Sequence, residues 1–203
     1  MVAAFVLLTA LVASSWSPLG SLDQRILSWG YGLTYGHRGR SAWWNDVARY
    51  GQPMVWRVLL LALGLAQIRW RRRALGAWLI GIALAETAVG PLMKYLLNRP
   101  RPHWLHPIAV EHTTSYPSGH ATAIAMFATA SILLALATLG SRPGRWAAIA
   151  VTLMLGTVVS MDRIFLGVHY GSDVLGGILL GSSVTFAGWV LMLHVLRRRS
   201  TDS

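Results

Sequence analysis

A histidine and an aspartate near the end of the chain have the spacing of a catalytic pair. In "DRIFLGVHYGSD" (162–173), His169 and Asp173 are four residues apart. On a helix they would share a face, so the carboxylate could hold one ring nitrogen and leave the other free. An imidazole held in this way can act as a nucleophile or a base. The same spacing also serves purely structural hydrogen bonds, so the pair needs support from other residues.

A second histidine lies at the start of an apolar run, in "YPSGHAT" (116–122). Pro117 is poorly suited to continue a helix, Ser118 is a good N-cap, and Gly119 has no side chain to obstruct an approaching group. A helix that begins here leaves backbone N–H groups free to bind an anion, with His120 in the first turn beside it. On its own, the stretch is equally compatible with an ordinary capped helix.

Three permanent cations accompany the two histidines. Lys94 ends a long apolar run, and the two X-Pro steps of "KYLLNRPRP" (94–102) favour an extended chain that holds Arg101 out of a helix. Arg163 precedes His169 by six residues. A cation at a helix end can simply snorkel to the membrane surface. Together, however, these groups fit a phosphate, because guanidinium groups bind its oxygens through strong charge-assisted bonds.

The composition is that of a membrane protein. Of the 203 residues, 54% are hydrophobic and only 12% are charged, and the mean hydropathy is +0.49. The chain has no cysteine, which excludes disulfides and thiolate metal sites. The formal net charge is +11, but the cations cluster beside apolar runs. This pattern favours a role in membrane topology over nucleic-acid binding.

Six apolar runs are long enough, or nearly so, to cross a bilayer as helices of about 20 residues. They lie at 1–16, 53–68, 74–97, 119–139, 146–166 and 172–196. The first run lacks the positive start of a secretory signal and is interpreted as a span, with a cleaved leader as the alternative. The sequence therefore predicts an all-α fold, a polytopic bundle of six transmembrane helices in a single domain over residues 1–203.

Arginine-bearing loops predict the orientation of this bundle. They are "RWRRR" at 69–73, "SRPGR" at 141–145 and "RRR" at 197–199. Because such loops are retained in the cytoplasm, six spans with both termini in the cytoplasm place all three there. The candidate site residues then share the extracytoplasmic face of the cell membrane. Residues 21–50, which are tryptophan-bearing and neither apolar enough to span nor polar enough to be disordered, are predicted to form an interfacial helical segment.

At these residues the chain resembles the type 2 phosphatidic acid phosphatase (PAP2) superfamily, which includes bacterial lipid phosphatases. Three ordered motifs carry the resemblance: Lys94, Arg101 and Pro102; Pro117, Ser118, Gly119 and His120; Arg163, His169 and Asp173. The family usually has a serine before the arginine of the third motif, where this chain has Asp162. A carboxylate facing the substrate would repel phosphate, so we expect Asp162 to be turned away or paired with a cation.

The resemblance implies a metal-independent phosphatase that works through a phosphohistidine. In such an enzyme His169 attacks phosphorus, Asp173 orients His169, and His120 protonates the leaving oxygen before water hydrolyses the intermediate. The implied phosphate-binding residues are Lys94, Arg101, Ser118, Gly119 and Arg163. No metal and no cofactor are expected, because fixed cations take the place that magnesium has in kinases.

The implied substrate is a lipid phosphate or pyrophosphate: undecaprenyl pyrophosphate, phosphatidylglycerol phosphate, phosphatidic acid or diacylglycerol pyrophosphate. Membrane lipids are the other expected partners, and no nucleic acid is expected. A lipid-phosphate binding or transport protein without hydrolysis is the alternative, although binding alone would not need the His169 and Asp173 pair. A soluble haloperoxidase of the same superfamily disagrees with the composition. The sequence leaves the particular lipid and the oligomeric state open.

Three other features of the sequence are given structural interpretations or a place at the substrate entrance, not a catalytic role. "HWLH" has a metal-like spacing, but the chain has no cysteine, no HExxH and no obvious fourth ligand, so we expect no zinc site. His103, His106 and His112 are candidates to line the substrate entrance instead. Glu86 lies inside a span and is expected to face the bundle interior in a structural role. The small-residue run at 171–183 predicts close helix packing within the bundle.

Overall fold

The computed structural model describes residues 1–201, with side chains described through Arg198. All regular structure in this part of the chain is helical, as the sequence predicts. The eight helices are α1 (Val2–Ala13), α2 (Ser17–Thr34), α3 (Arg38–Tyr50), α4 (Pro53–Arg69), α5 (Arg73–Leu97), α6 (Gly119–Thr138), α7 (Arg142–Phe165) and α8 (Gly171–Thr201). Arg199, the last arginine of the third predicted cytoplasmic cluster, lies beyond the described side chains.

Five helical stretches are long and apolar enough to cross a membrane by length and composition. They are Arg38–Arg69, Arg73–Leu97, Gly119–Thr138, Arg142–Phe165 and Gly171–Arg198. A sixth span is possible only if α1 and α2 are taken together as one pair, and that pair is bent by 94°. The bundle therefore has five or six spans, which makes the chain a multi-pass membrane protein.

The first predicted span, at 1–16, forms the short helix α1, which can contribute to a sixth span only together with α2. Helix α1 has only 12 residues and is about 18 Å long at 1.5 Å per residue, well short of a bilayer's hydrocarbon core. Continuous apolar composition in this run indicated a span but carried no signal for the sharp bend after Ala13.

The segment predicted to be interfacial, 21–50, is helical and forms most of α2 and all of α3. Both helices pack against α7. The rings of Trp29 and Trp44 contact Phe165 at the end of α7, with centroid distances of 5.5 and 4.5 Å. These contacts hold α2 and α3 against the end of α7 that carries Arg163.

Helix α6 contacts four other helices, α4, α5, α7 and α8. It meets α8 at short range because two glycines of α8 face its backbone. A Cβ atom on Gly181 would lie 2.3 Å from the carbonyl oxygen of Thr122, and one on Gly177 would lie 2.6 Å from that of Ser118. The close packing predicted from this small-residue run is confirmed. It brings the start of α6 beside the start of α8, where the Ser118 amide donates to the carbonyl of Asp173 at 3.0 Å.

The long connection between α5 and α6, residues 98–118, contains no helix or strand. Helix α5 ends at Leu97 because Asn98 adopts a left-handed backbone conformation (φ 40°) and two prolines follow, Pro100 and Pro102. The prediction that Arg101 lies outside the helix is therefore confirmed.

Aromatic contacts fix this connection over the ends of α2 and α7. The Trp104 ring stacks on Tyr31 with a centroid distance of 3.7 Å, and its Nε1 donates to the carbonyl of Gly167 at 2.9 Å. Gly167 has φ +72°, and a Cβ atom there would lie 2.7 Å from Trp104 Nε1, so a side chain would be both strained and obstructed. The Tyr31 hydroxyl donates to the carbonyl of His106 at 2.6 Å.

A polar contact joins the N-terminal helix to the centre of the protein. Thr9 of α1 and the hydroxyl of Tyr116 are hydrogen-bonded at 2.8 Å. Tyr116 is fully buried, and its ring lies where a Cβ atom on Gly176 would be, at 2.6 Å. Helix α1 thus supports the residue that immediately precedes the Pro-Ser-Gly-His motif.

Glu86 is buried within the bundle and pairs with Arg57 of α4, whose Nε donates to Oε2 at 2.9 Å. The prediction that this carboxylate faces the interior is confirmed. The pair joins α4 to α5 and avoids the high cost of an isolated charge in the membrane.

Candidate active site

His169 and Asp173 form the contact that their spacing predicts. His169 lies in the turn between α7 and α8, and Asp173 lies in the first turn of α8. Nδ1 of His169 is 3.3 Å from Oδ2 of Asp173. With the Nδ1 proton assigned to this bond, Nε2 keeps its lone pair. Both side chains are buried.

Burial lowers the pKa of His169 to about 4. The contact with Asp173 opposes this shift, whereas the nearby charges of Arg101 and Lys94 add to it. The imidazole is therefore uncharged at neutral pH, and Nε2 carries the lone pair that a nucleophile needs.

Arg101 lies directly beside that nitrogen. Its Nη1 is 3.1 Å from Nε2 of His169 and donates to the carbonyl of Val168 at 2.8 Å. Its Nη2 donates to the hydroxyl of Thr113 at 3.0 Å. Burial lowers the pKa of Arg101 from its usual range, but a guanidinium remains charged in proteins. A fixed positive charge therefore borders the reactive nitrogen.

Asp173 is held by more groups than the sequence suggested. Ser115 donates a hydrogen bond to Oδ2, and Nη1 of Arg99 donates to Oδ1 at 2.6 Å. The backbone amide of Tyr170 also donates to Oδ2, at 2.9 Å. Sequence reasoning missed Arg99 and Ser115. For Arg99 a signal existed, because it lies on the same proline-flanked segment as Arg101; for Ser115 there was none.

Helix α6 begins at Gly119 with Ser118 as its N-cap, as predicted, and the Ser118 side chain accepts from the amide of Ala121. Near a Cβ atom on Gly119 the structure places only Pro53, at 3.8 Å, so the backbone here is open to approach. The Nε2 atom of His120 is 3.1 Å from the carbonyl of Ala48 in α3. A carbonyl only accepts, so Nε2 carries a proton in this contact.

The three motifs converge in space. The titratable and charged neighbours of the His120 ring include Arg163, His169 and Arg101, and those of Lys94 include Arg101 and Asp173. His120 and Arg163 also line one cavity of about 390 Å³. Its other walls come from α3, the start of α4, the 98–118 connection and the end of α7, through Asn45, Ala48, Arg49, Gln52, Ala109, Val110, Glu111 and Leu166.

Arg163 is almost completely buried, and its guanidinium contacts two carboxylates. Nε and Nη2 face the two oxygens of Asp162, with an Nη2 to Oδ2 distance of 3.3 Å. Nη1 donates to Glu111 of the 98–118 connection at 3.1 Å. The expectation that Asp162 is paired with a cation is confirmed. Glu111 was not anticipated, because it lies in an irregular segment whose path the sequence does not reveal.

Lys94, in the last turn of α5, donates from Nζ to the carbonyl of Thr114, and the Thr114 hydroxyl donates back to the Lys94 carbonyl at 3.2 Å. This exchange ties the end of α5 to the segment just before Ser115.

Among residues 1–201, no three histidine or acidic side chains are grouped so that they could hold a metal ion. His103, His106 and His112 do not form such a group. Their proposed place at the substrate entrance stays a prediction.

These features define a class: a helical membrane protein in which an oriented imidazole borders a cluster of cations suited to a phosphoryl group. The profile of the PAP2 superfamily matches residues 74–198, and the chain belongs to that superfamily. The resemblance noted from the three motifs is confirmed, and with it the class of enzyme, a phosphatase.

Named relatives and a solved structure agree with this assignment. Decaprenylphosphoryl-5-phosphoribose phosphatase of Mycobacterium tuberculosis is 35% identical over 147 residues, which cover 69% of this chain and 73% of that protein. Undecaprenyl-diphosphatase of Sulfolobus acidocaldarius is 29% identical over 147 residues, 69% of this chain and 65% of that protein. The crystal structure of a transmembrane PAP2-type phosphatidylglycerolphosphate phosphatase from Bacillus subtilis has a TM-score of 0.79 and 19% identity, covering 93% and 94% of the two chains. At that identity the likeness shows the fold alone.

Proposed function

We propose that this protein removes the terminal phosphate of a lipid phosphate or lipid diphosphate through a phosphohistidine on His169. The observation that carries the proposal is the uncharged, buried His169, held by Asp173 on one nitrogen and bordered by Arg101 on the other. Two relatives act, by name, on polyprenyl lipids that end in a phosphate. We therefore favour a polyprenyl lipid as the substrate, ahead of phosphatidylglycerol phosphate and phosphatidic acid.

In the first step, the Nε2 lone pair of His169 forms a bond to phosphorus while the bond from phosphorus to the leaving oxygen breaks. The Asp173 carboxylate stabilises the positive charge that develops on the ring. The imidazolium form of His120 gives its Nδ1 proton to the leaving oxygen, which would otherwise depart as an anion, while its Nε2 proton stays hydrogen-bonded to the Ala48 carbonyl. The products of this step are the dephosphorylated lipid and a phosphohistidine.

The phosphoryl oxygens are proposed to bind to Lys94, Arg101, Arg163, the Ser118 side chain and the Gly119 amide. Donors fixed in advance at a buried site are usually the largest contribution to such catalysis. Arg163 is a partly neutralised member of this set because Asp162 already occupies two of its nitrogens. Its third nitrogen becomes available to phosphate when Glu111 moves away.

In the second step, water attacks the phosphohistidine. His120, deprotonated by the first step, accepts a proton from this water. The bond from phosphorus to Nε2 breaks, inorganic phosphate leaves, and both histidines return to their starting forms. The cycle balances without a metal ion or other cofactor.

We further propose that the whole chain acts as one unit in the cell membrane. The site opens on the extracytoplasmic face and both termini are cytoplasmic. The arginines at 69–73 and 141–145 support this orientation. The 98–118 connection joins α5 to α6, and these arginines lie near the other ends of those two helices, on the opposite side of the membrane.

The proposal is tested by measuring phosphate release from purified protein in the presence of EDTA. Undecaprenyl diphosphate, decaprenylphosphoryl-5-phosphoribose, phosphatidylglycerol phosphate and phosphatidic acid form the substrate panel. His169→Ala is expected to lose at least about 1000-fold in rate, more than the roughly 100-fold loss typical of removing one fixed donor. Labelled substrate should transfer its phosphate to the wild-type protein, and the label should be lost in acid.

The matched control is His194→Ala, which alters an exposed histidine of α8 and should turn over normally. Full turnover by His169→Ala would contradict the proposal. Transfer of lipid phosphate across liposomes without phosphate release would indicate the binding or transport alternative.

A further inference from the structure

We infer that Asp23 of α2 is a positioning residue for the reaction, acting through Arg99 on Asp173 and so on His169. The inference rests on the proposed function. Asp23 lies outside residues 74–198, the range matched by the superfamily profile. The inference therefore adds a residue from the N-terminal part of the chain to the proposed active site.

The Asp23 carboxylate is buried and receives three hydrogen bonds from two other segments. Oδ1 accepts from the backbone amide of Ser172 at 2.8 Å. Oδ2 accepts from Nη2 of Arg99 at 2.8 Å and from the Ser172 hydroxyl. A fully bonded, buried carboxylate of this kind is costly to assemble, because each ion must be removed from water.

Arg99 bridges the two carboxylates with one guanidinium. Nη2 bonds to Asp23, while Nη1 bonds to Asp173 at 2.6 Å and to the Ser172 hydroxyl at 2.7 Å. The guanidinium also lies over the Tyr170 ring, 4.4 Å from its centroid. Because the guanidinium group is planar and rigid, fixing one nitrogen on Asp23 fixes the direction of the other toward Asp173.

Asp23 acts on Asp173 in two ways. By accepting from the Ser172 amide, it satisfies one of the free N–H groups at the start of α8, the turn that carries Asp173. By balancing the charge of Arg99, it preserves the strength of Asp173 as the partner of His169. Without Asp23, the charge of Arg99 would act on Asp173 alone, and the imidazolium formed during the reaction would be less stabilised.

The charge effect predicts the direction in which the titration midpoint of His169 shifts, which a purely structural role would not. The titratable and charged groups around His169 include Asp173, Arg101, Lys94 and His120, with Arg99 and Asp23 behind Asp173. Asp23→Asn removes a negative charge and should lower the titration midpoint of His169. Arg99→Gln removes a positive charge and should raise it.

The experiment measures turnover and the His169 midpoint on the same full-length variants. Asp23→Asn is expected to lower kcat on the order of 10-fold or more, the loss typical of residues that orient a functional histidine from behind, with KM within about twofold. Nuclear magnetic resonance of histidine-labelled protein gives the midpoint, and His169→Gln identifies the signal. The double variant, Asp23→Asn with Arg99→Gln, should have a His169 titration midpoint between those of the two single variants. Its kcat should be no lower than that of the less active single variant.

Asp23→Glu provides the rescue. Asp23 and Arg99 line a cavity of about 230 Å³, which leaves room for one added methylene group. Because the charge is kept, Asp23→Glu should restore the wild-type midpoint and recover part of the lost kcat. Asp46→Asn, which neutralises an exposed aspartate of α3, should match the wild type in both measurements.

Normal kcat in folded Asp23→Asn would overturn the inference. So would midpoints that move in the same direction in Asp23→Asn and Arg99→Gln, since general damage has no reason to follow the sign of the charge. If Asp23→Asn does not fold, the other two variants carry the same test. The His169 midpoint should be unchanged in Asp23→Glu and raised in Arg99→Gln. A wild-type protein that releases no phosphate would refute the proposed function instead.

Discussion

At the scale of single residues, Arg163 has one charged partner that the sequence did not reveal. It is almost completely buried and faces two carboxylates, from Asp162 and Glu111. Asp162 is itself fully buried and adjacent in the chain, so it is a fixed partner. Glu111 is partly exposed and belongs to the irregular 98–118 connection, so it is the partner that we propose a phosphate replaces.

Replacing Glu111 should therefore strengthen phosphate binding. Glu111→Gln removes the negative charge that contacts Nη1 of Arg163, and with it the proposed competitor of phosphate, while keeping the size of the side chain. We expect inhibition by inorganic phosphate to require several-fold less phosphate, on the order of the effect of one partly exposed ion pair. The measurement is the inhibition constant for phosphate in the turnover assay.

Asp46→Asn serves as the control for this charge change, because it removes an exposed acid of α3 that has no bond to Arg163. An unchanged inhibition constant in Glu111→Gln would show that Glu111 does not compete with phosphate.

The sequence could predict the residues of the three motifs because their types and spacing carry chemical meaning locally. His169 and Asp173 are four residues apart in the sequence, and Ser118 has the local signature of an N-cap. Asp23 and Glu111 could not be predicted. Their partners, Arg99 and Arg163, are 76 and 52 residues away along the chain, so only the packed fold shows that they meet.

At the scale of helices, the contact between α6 and α8 positions the site. The start of α6 carries the proposed phosphate-binding amide, and the start of α8 carries Asp173. Glycines allow the two backbones to approach so closely that the Ser118 amide reaches the carbonyl of Asp173. A change in helix separation would therefore alter the geometry of catalysis directly.

Gly181→Ala should destabilise the protein and reduce its activity. The added Cβ atom would lie 2.3 Å from the backbone oxygen of Thr122, and neither backbone can yield without separating α6 from α8. Overpacking of this kind costs about 1–3 kcal/mol. The checks are the thermal unfolding midpoint in detergent and kcat with a lipid substrate.

Gly156→Ala on α7 is the matched control, because nothing lies within 4 Å of its added Cβ atom. Alanine is favoured over glycine in a helix by up to about 1 kcal/mol, so this variant should be as stable as the wild type or more so. Equal behaviour of the two variants would contradict the proposed role of the α6 and α8 contact.

The long apolar helices could be predicted because hydropathy over about 20 residues is a strong signal. The bend between α1 and α2 could not, since it depends on how α1 packs against α8 and how α2 packs against α7. The helical nature of 21–50 was predictable from its composition, whereas its division into α2 and α3 was not.

At the scale of the whole molecule, orientation in the membrane decides which leaflet supplies the substrate. The 98–118 connection lies on the same side as the His169 turn, to which Trp104 is bonded. Arg142 and Arg145 lie in the first turn of α7, at the end of that helix opposite Arg163 and the His169 turn. The site and this arginine cluster should therefore occupy opposite faces.

Single cysteines offer a direct test, since the chain has none of its own. Leu105 is 90% exposed, so Leu105→Cys should react with a membrane-impermeant maleimide in cells whose cytoplasmic membrane is intact. Gly140 is exposed between α6 and α7, and Gly140→Cys should react only after the cytoplasmic membrane is permeabilised. The reverse pattern would place the site in the cytoplasm.

The hydrogen bond between Thr9 and Tyr116 has a practical consequence for defining the smallest active unit. It joins the first helix to a buried phenol beside the Pro-Ser-Gly-His motif. A protein trimmed to the stretch shared across the superfamily would lose the hydroxyl partner of that phenol and expose its ring to lipid. Truncated forms should therefore keep α1, even though it carries none of the three motifs.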